Sequence, residues 1–483
     1  MPTAASDLGL TLTTAVRPPV QDPTLGVDVP PRPPRPRTHR FAAVGDSLTQ
    51  GFKHYAVHDR ALSWPALVAD LLGVPFARPQ DDGPGGYPLN LEFLARRALG
   101  RPLVPTLVGG LRYALEVQRA YERPPGARGG PRYEDLAVWG WDLRDHLART
   151  ADTERARVRS GWWHRLNPLV QAPNARAAVE VLDGSRSVTG EALTSLRAVR
   201  DLDGGVESLC VWLGANNALR SVVQLRVVAS GPRFRELDAK DAYTVWTVPD
   251  FTAELAEVAR AVADVDTDRV LWGTVPHVTI PPIVHGLGGP LPECGRYFRW
   301  YGRPWATEET FDPDRDGHLT GFDAWAVDQA IDGYNRALLD VVGAAREQGR
   351  DWRVVDVGAM LDRLAVRRND ELGARPPEFA PYPLPDALRG LDTRFPATDD
   401  AGRLLAGGLI GLDGLHPTSC GYGLVAQEFA AVLAGAGVDF PRGDRIDFDE
   451  LRRRDTFVSD PPAGVAAALR TIGRVDRLTR VLR

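Results

Sequence analysis

Short apolar runs alternate along the chain with longer stretches whose apolar positions recur every turn of a helix. The short runs are RFAAVGDSL, EDLAVWG, SLCVWLGANN, RVLWGTVPHV and WRVVDVGAML. Each reads as a strand buried on both faces, the pattern of a parallel sheet. Between and after them lie SWPALVADLLG, FTAELAEVARAVADV, AWAVDQAIDGYNRALLDVVGAAREQG and PTSCGYGLVAQEFAAVLAG. Their spacing, near 3.6 residues, suits helices that cover a sheet. Strands alternating with helices predict a three-layer α/β fold.

The strands are unevenly separated, with long intervals near 74–132, 150–205 and 279–324 that are rich in proline, glycine, arginine and tryptophan. Intervals of that length inside one domain read as insertions, here expected to form a cap over the strand ends. Residues 1–38 end in PPRPPRPR and are expected to be a disordered tail, because extended proline-rich chain buries little. The main domain is expected over 39–440 and a helical extension over 441–483. In that extension Val465, Leu469, Ile472, Val475, Leu478 and Leu482 keep an apolar stripe opposite Arg470, Arg474, Arg477, Arg480 and Arg483. Such a helix packs on the body with a solvated charged face, or lies on an anionic membrane surface.

Composition narrows the function. Of 483 residues, 43% are hydrophobic and 25% charged, so the chain can bury a large core. Lys and Arg total 58 against 63 Asp and Glu, a net charge of −5 that argues against nucleic acid as the main partner and for a small molecule. Three widely spaced cysteines, Cys210, Cys294 and Cys420, form neither a disulfide framework nor a thiolate metal site. With no secretory leader pattern at the N-terminus, a cytoplasmic protein is expected.

The candidate chemistry sits where predicted strands end. Gly45-Asp46-Ser47-Leu48-Thr49-Gln50-Gly51 follows the apolar run Phe41 to Val44, placing a serine hydroxyl at the sheet edge where α/β folds bind ligands. Taken alone, Ser47 is also a good helix N-cap. Asp413-Gly414-Leu415-His416-Pro417-Thr418 precedes the last long helix, with Pro417 suited to its first turn. That turn can hold Asp413 against His416, leaving the other imidazole nitrogen to take a proton from a serine. The run SLCVWL ends in Gly214-Ala215-Asn216-Asn217, which offers a side-chain amide, and LAVW ends in Gly140, whose N–H can approach an oxygen closely.

These four blocks, in this order and at strand ends, resemble the GDSL esterase/lipase family, the SGNH hydrolases. The resemblance spans roughly 39–436 as scattered blocks, with GDSLTQG and DGLHPT the most specific. It implies Ser47 as nucleophile, His416 as general base, Asp413 as its orienting partner, and an oxyanion hole made of the Ser47 and Gly140 amides and Asn216. It also implies a doubly wound, flavodoxin-like sheet of five parallel strands in order 2-1-3-4-5, and no metal or other cofactor. The chain departs from the family at Asn217, where aspartate is usual, and in its long insertions. The expected activity is hydrolysis of a small-molecule carboxylic ester through an acyl-serine, with a lipophilic acyl ester as the first candidate. Carbohydrate O-deacetylation, acyl transfer and a non-catalytic binding role are the alternatives.

Two further features carry a local explanation beside a functional one. Asp312, Asp314, Asp316 and Asp323, with Gly317, have the spacing of a calcium loop. Thr320 and Asp323 equally form a capping box for the helix that follows, which is the preferred reading. Trp139 and Trp141 flank Gly140, and Tyr297, Phe298, Trp300, Tyr301 and Trp305 cluster in the third insertion, where they line a substrate groove or fill a small core. His54, His58, His146, His277 and His285 lack metal-ligand spacing and are expected to be surface or internally satisfied histidines.

Overall fold

The computed structural model describes all residues except 1–2, 31–34, 81–84, 99–111, 113–130, 160–172, 400–402 and 463–483. The arginine stripe expected in the C-terminal extension lies outside the described residues. Four parallel strands, β1 (His39–Gly45), β2 (Val206–Trp212), β3 (Thr267–Gly273) and β4 (Asp351–Val355), stand side by side in that order. Helices α1 (Trp64–Leu71), α2 (Asn216–Gln224), α3 (Val248–Ala263), α4 (Gly321–Glu347) and α5 (Ser419–Gly435) surround this sheet.

The strands are apolar through their central and C-terminal positions because both faces are covered there. Ala42 and Val44, Leu209 and Val211, and Val270 and Trp272 point into one core, with Phe251, Leu255 and Val258 of α3 and Ile331, Tyr334 and Leu338 of α4. Their neighbours Phe41 and Ala43, Cys210 and Trp212, and Leu271 point into a second core with Trp64 and Val68 of α1 and Tyr422, Phe429 and Leu433 of α5. The two-residue side-chain period of a strand thus divides each run between two helix layers. Each core carries a stacked aromatic pair, Phe251 on Tyr334 at 3.9 Å and Trp64 on Phe429 at 4.0 Å. Burial of each such ring contributes roughly 2–3 kcal/mol.

The run Glu134–Trp139, read from sequence as a strand, is not a regular one. It follows β1 through a single parallel bridge, Ala43 with Asp135, with Leu136 N donating to Ala43 O and Val138 N to Gly45 O. The Asp135 carboxylate takes the Ala137 N–H, which faces away from β1, at 3.2 Å, and the segment ends where the chain turns at Gly140.

The N-terminal segment also departs from expectation. A short helix at Thr3–Asp7 buries Ala4, Ala5 and Leu8 against the core that contains α4. The chain then runs across the molecule: the Gln329 amide donates to Thr13 O, and Arg17 forms a two-pronged pair with Asp356 at 2.7 and 3.0 Å. Val354 of the outer strand β4 donates to Pro23 O, and Arg346 to Val27 O. An extended proline-rich chain keeps its carbonyls unpaired, which makes it a good partner for the exposed donors of an edge strand, although by itself it has no core.

The interval 279–324 is ordered by its own pairing. His285–Leu291 and Cys294–Gly302 form an antiparallel hairpin to which Leu319–Thr320 adds a third strand. Tyr297 and Tyr301 are buried, and Tyr297 stacks on Trp325 of α4 at 6.0 Å, so these aromatics fill a core that is continuous with the main one. In the interval 150–205, the final helix Ser195–Arg200 places Leu196, Ala198 and Val199 in the sheet-covering layer. The three cysteines are buried free thiols. Among the described residues no helix is long and apolar enough to cross a membrane.

Arg17 and Asp356 are both almost fully buried, and removing one member of a buried pair leaves the other charge uncompensated. Arg17→Met is therefore expected to lower the unfolding free energy by about 3 kcal/mol, seen as a lower urea midpoint at unchanged slope. An unchanged midpoint would place the N-terminal segment outside the cooperative fold.

Candidate active site

β1 ends at Gly45, and Asp46 caps a one-turn helix, Ser47–Gln50, by accepting the Leu48 N–H at 2.9 Å. Ser47 occupies the first helical position, one of those whose amide a helix leaves without an internal acceptor. The turn closes at Gly51 in the left-handed region, after which the chain forms a tight hairpin, Phe52–Lys53 against Ala56–Val57. His54 and Tyr55 are its two loop residues, with φ of 52° and 66°. Positive φ at both positions is the geometry of a type I′ turn, normally built from asparagine and glycine because other residues incur backbone strain there of order 1 kcal/mol or more each.

From the far end of the chain, residues 411–416 come back against this hairpin. His416 Nε2 lies 2.9 Å from Ser47 Oγ, and His416 Nδ1 lies 3.1 Å from Asp413 Oδ2. Asp413 further accepts the N–H groups of Leu415 and His416 on Oδ1 and of Tyr55 on Oδ2, at 2.8 to 2.9 Å. Burial alone would raise its pKa, but His416 and these amides hold it down at about 2. The Phe52 ring packs on His416 with centroids 4.5 Å apart, and Tyr422 fixes that hairpin by donating to Phe52 O at 2.6 Å. α5 begins at Ser419, with Thr418 as its N-cap, so Pro417 precedes the helix and does not sit in its first turn. Thr418 is the better cap because its hydroxyl takes the Gly421 N–H while also donating to Gly408 O.

The two donor blocks lie beside the serine turn. Asn216, at the start of α2, directs its amide at both Asp46 Oδ2 (3.2 Å) and Trp141 O (2.9 Å), so both of its hydrogens are engaged. Gly140 adopts φ +75°, and a side chain there would meet the Asn174 amide at 3.2 Å. Asn217 carries a link of its own: its side-chain oxygen accepts the Leu143 N–H at 3.4 Å, tying the β2 turn to the segment after Gly140. The flanking tryptophans part company. Trp141 is wholly buried in the core, whereas Trp139 lies 5.1 Å from the Phe52 ring, and its backbone N–H donates to the Gln50 side-chain oxygen at 2.9 Å.

Ser47, His416, Asp413, Asn216 and Gly140, all singled out from sequence, are therefore brought to one edge of the sheet. Sequence reasoning gave no role to Asp46, whose burial pushes its pKa up to about 6 against the pull of Leu48 N, His416 and Asn216. It also passed over Gln50 and Tyr55, and read His54 only as a surface or internally satisfied histidine. The only signal for Asp46 and Gln50 was their place in the GDSLTQG block; His54 and Tyr55 had none, since their partners lie more than 350 positions away.

The other candidates resolve locally. Asp323 Oδ2 accepts both the Thr320 N–H and hydroxyl, completing the capping box of α4, while Asp312 and Asp316 accept amides of their own loop from Asp314 and Asp312. Among the described residues no three His, Cys, Asp or Glu side chains converge to hold a metal ion. His146 bonds Ser195, His277 bonds Asp362, and His285 bonds Arg367. Chemically, the arrangement at Ser47 can draw a proton from a hydroxyl through an imidazole whose tautomer is set by a carboxylate. No protein-family model matches the chain, and neither does any curated protein.

Because Asp413 has a lowered folded pKa, its contribution to stability is fully present above the unfolded value near 4 and is lost as pH falls toward 2. Asp413→Asn should thus cost roughly 2–3 kcal/mol at pH 6 and progressively less toward pH 2. Urea unfolding of both proteins across that range checks this; a difference independent of pH would contradict it.

Proposed function

We propose that this protein is a serine-dependent carboxylic-ester hydrolase of the GDSL type. The observation that carries the reading is the relay Ser47 Oγ, His416 Nε2, His416 Nδ1, Asp413 Oδ2, with steps of 2.9 and 3.1 Å, the first of them between residues 369 positions apart. The finer topology supports it. Counting the bridged segment Glu134–Trp139 as the outer neighbour of β1 yields the order 2-1-3-4-5, with α1 and the α3 and α4 crossovers on opposite faces. Ser47 and Asn216 then stand at the switch point where ligands bind in such sheets.

In this reading, Ser47 Oγ attacks the ester carbonyl carbon while His416 Nε2 takes the hydroxyl proton. Asp413 stays ionised and stabilises the resulting imidazolium. The tetrahedral oxyanion receives the N–H groups of Ser47 and Gly140 and one Asn216 hydrogen, drawn from the longer, 3.2 Å bond to Asp46. Collapse breaks the ester C–O bond, and the His416 proton passes to the leaving alcohol. Water, deprotonated by His416, then attacks the acyl-serine and releases the acid. No step calls for a metal or cofactor. Three buried free thiols suit a reducing, cytoplasmic setting. Trp139, partly exposed over the buried Phe52 ring that packs on His416, presents an apolar wall, which favours a lipophilic acyl ester over an acetylated sugar.

The test is hydrolysis of a nitrophenyl ester series from acetate to long-chain acyl. Turnover should vanish in Ser47→Ala and fall roughly 100- to 1000-fold in Asn216→Ala, mainly in kcat. A peak at longer acyl chains is expected from the aromatic wall. Ser47-independent turnover, or full-rate Asn216→Ala, would overturn the assignment.

A further inference from the structure

The His54–Tyr55 turn is built at the cost of two non-glycine residues in the left-handed region, and both point their bonding groups at the loop that carries Asp413 and His416. Tyr55 N donates to Asp413 itself at 2.8 Å. One residue away, Leu412 N donates to His54 Nδ1 at 3.0 Å. A ring nitrogen that accepts an N–H carries no proton, so the His54 imidazole is the neutral tautomer protonated at Nε2, which lies 3.5 Å from Glu92 Oε2. The loop is shaped to receive this ring: a side chain at Gly411 would lie 3.0 Å from His54 Nδ1 and 3.2 Å from its Cε1. Two successive strained residues that both bond the same distant loop point to a function for that turn.

We propose that His54 is a positioning residue for the Ser47–His416–Asp413 relay, a buried imidazole acceptor that sets the register of loop 411–416 against the serine turn. This rests on reading that relay as a hydrolytic triad. His54 is completely buried, with Phe457 packed on it at 4.8 Å and His58 at 6.0 Å. Burial keeps it neutral against the pull of Glu92, Asp413 and Asp455, with Lys53 acting in the same direction as burial. Ile283 N also donates to Gly414 O, so the loop is held by a second segment, and the His54 bond joins the Tyr55–Asp413 bond in fixing its displacement along the hairpin.

The test compares His54→Phe, which keeps a ring but removes the acceptor, with His54→Asn, which restores an acceptor near the Nδ1 position and tolerates positive φ. Gly411→Ala attacks the same contact from the loop side. Two readouts are taken: ester kinetics, and the downfield proton resonance of His416 Nδ1–H bonded to Asp413, assigned by its loss in Asp413→Asn. His54→Phe and Gly411→Ala should lower kcat roughly 10- to 100-fold with KM within about twofold, and should shift or abolish the resonance. His54→Asn should return kcat to within about threefold of wild type and restore the resonance. Should His54→Phe retain both turnover and resonance, the proposal is wrong. Should His54→Phe not fold, His54→Asn and Gly411→Ala decide: a missing resonance in His54→Asn, or an unaltered one in Gly411→Ala, also overturns it. If the wild type has no Ser47-dependent turnover, the hydrolase reading fails, while the resonance still shows whether His54 sets the loop.

Discussion

The Asp413 carboxylate is the fixed point of the site. It is buried, yet it accepts three backbone amides and one imidazole N–H, and those donors come from both ends of the chain. A buried carboxylate without such donors would take up a proton and lose its hold on His416; with them it remains charged well below neutral pH. One charge therefore determines the imidazole's tautomer, the closure of loop 411–416 and the docking of that loop on the hairpin after Ser47.

Everything around that carboxylate serves to bring distant segments within hydrogen-bond reach. Two helix layers hold β1 and β2 side by side, so that the turn with Ser47 and the start of α2 with Asn216 emerge at the same edge. Side-chain links then join the blocks: Asp46 to Asn216, Gln50 to Trp139, Asn217 to Leu143. Asn217 accepts the Leu143 N–H without adding a charge to a segment that already holds the buried carboxylates of Asp142 and Asp145, which Lys240 bridges at 2.6 and 3.0 Å. Burial with neighbouring negative charge raises the energy of any further carboxylate, and an amide avoids that penalty.

The N-terminal segment illustrates a different kind of constraint. Its composition is that of a solvated tail, and composition is a fair guide to whether a segment can form a core of its own. It says nothing about whether an existing body has unpaired donors along an edge. Arg17 reaches a buried carboxylate and Pro23 supplies a carbonyl to β4 only because α4 and β4 are already in place.

Much of this protein was legible in its residues alone. Runs such as Phe41–Val44 and Leu209–Leu213 are apolar at every position, and only a strand covered on both faces satisfies them; the GDSLTQG and DGLHPT blocks place a hydroxyl, an imidazole and a carboxylate where strands end and helices begin. These features are local, so periodicity and turn chemistry reveal them. What the tertiary structure alone decided is pairing across long separation. Asn216 meets Asp46, Leu412 meets His54, and Glu134–Trp139 lies along β1 through a single bridge before the chain turns at Gly140. The physical reason is the same in each case: a hydrogen bond between remote residues depends on how packed layers bring two backbones together, and no spacing within either segment records it.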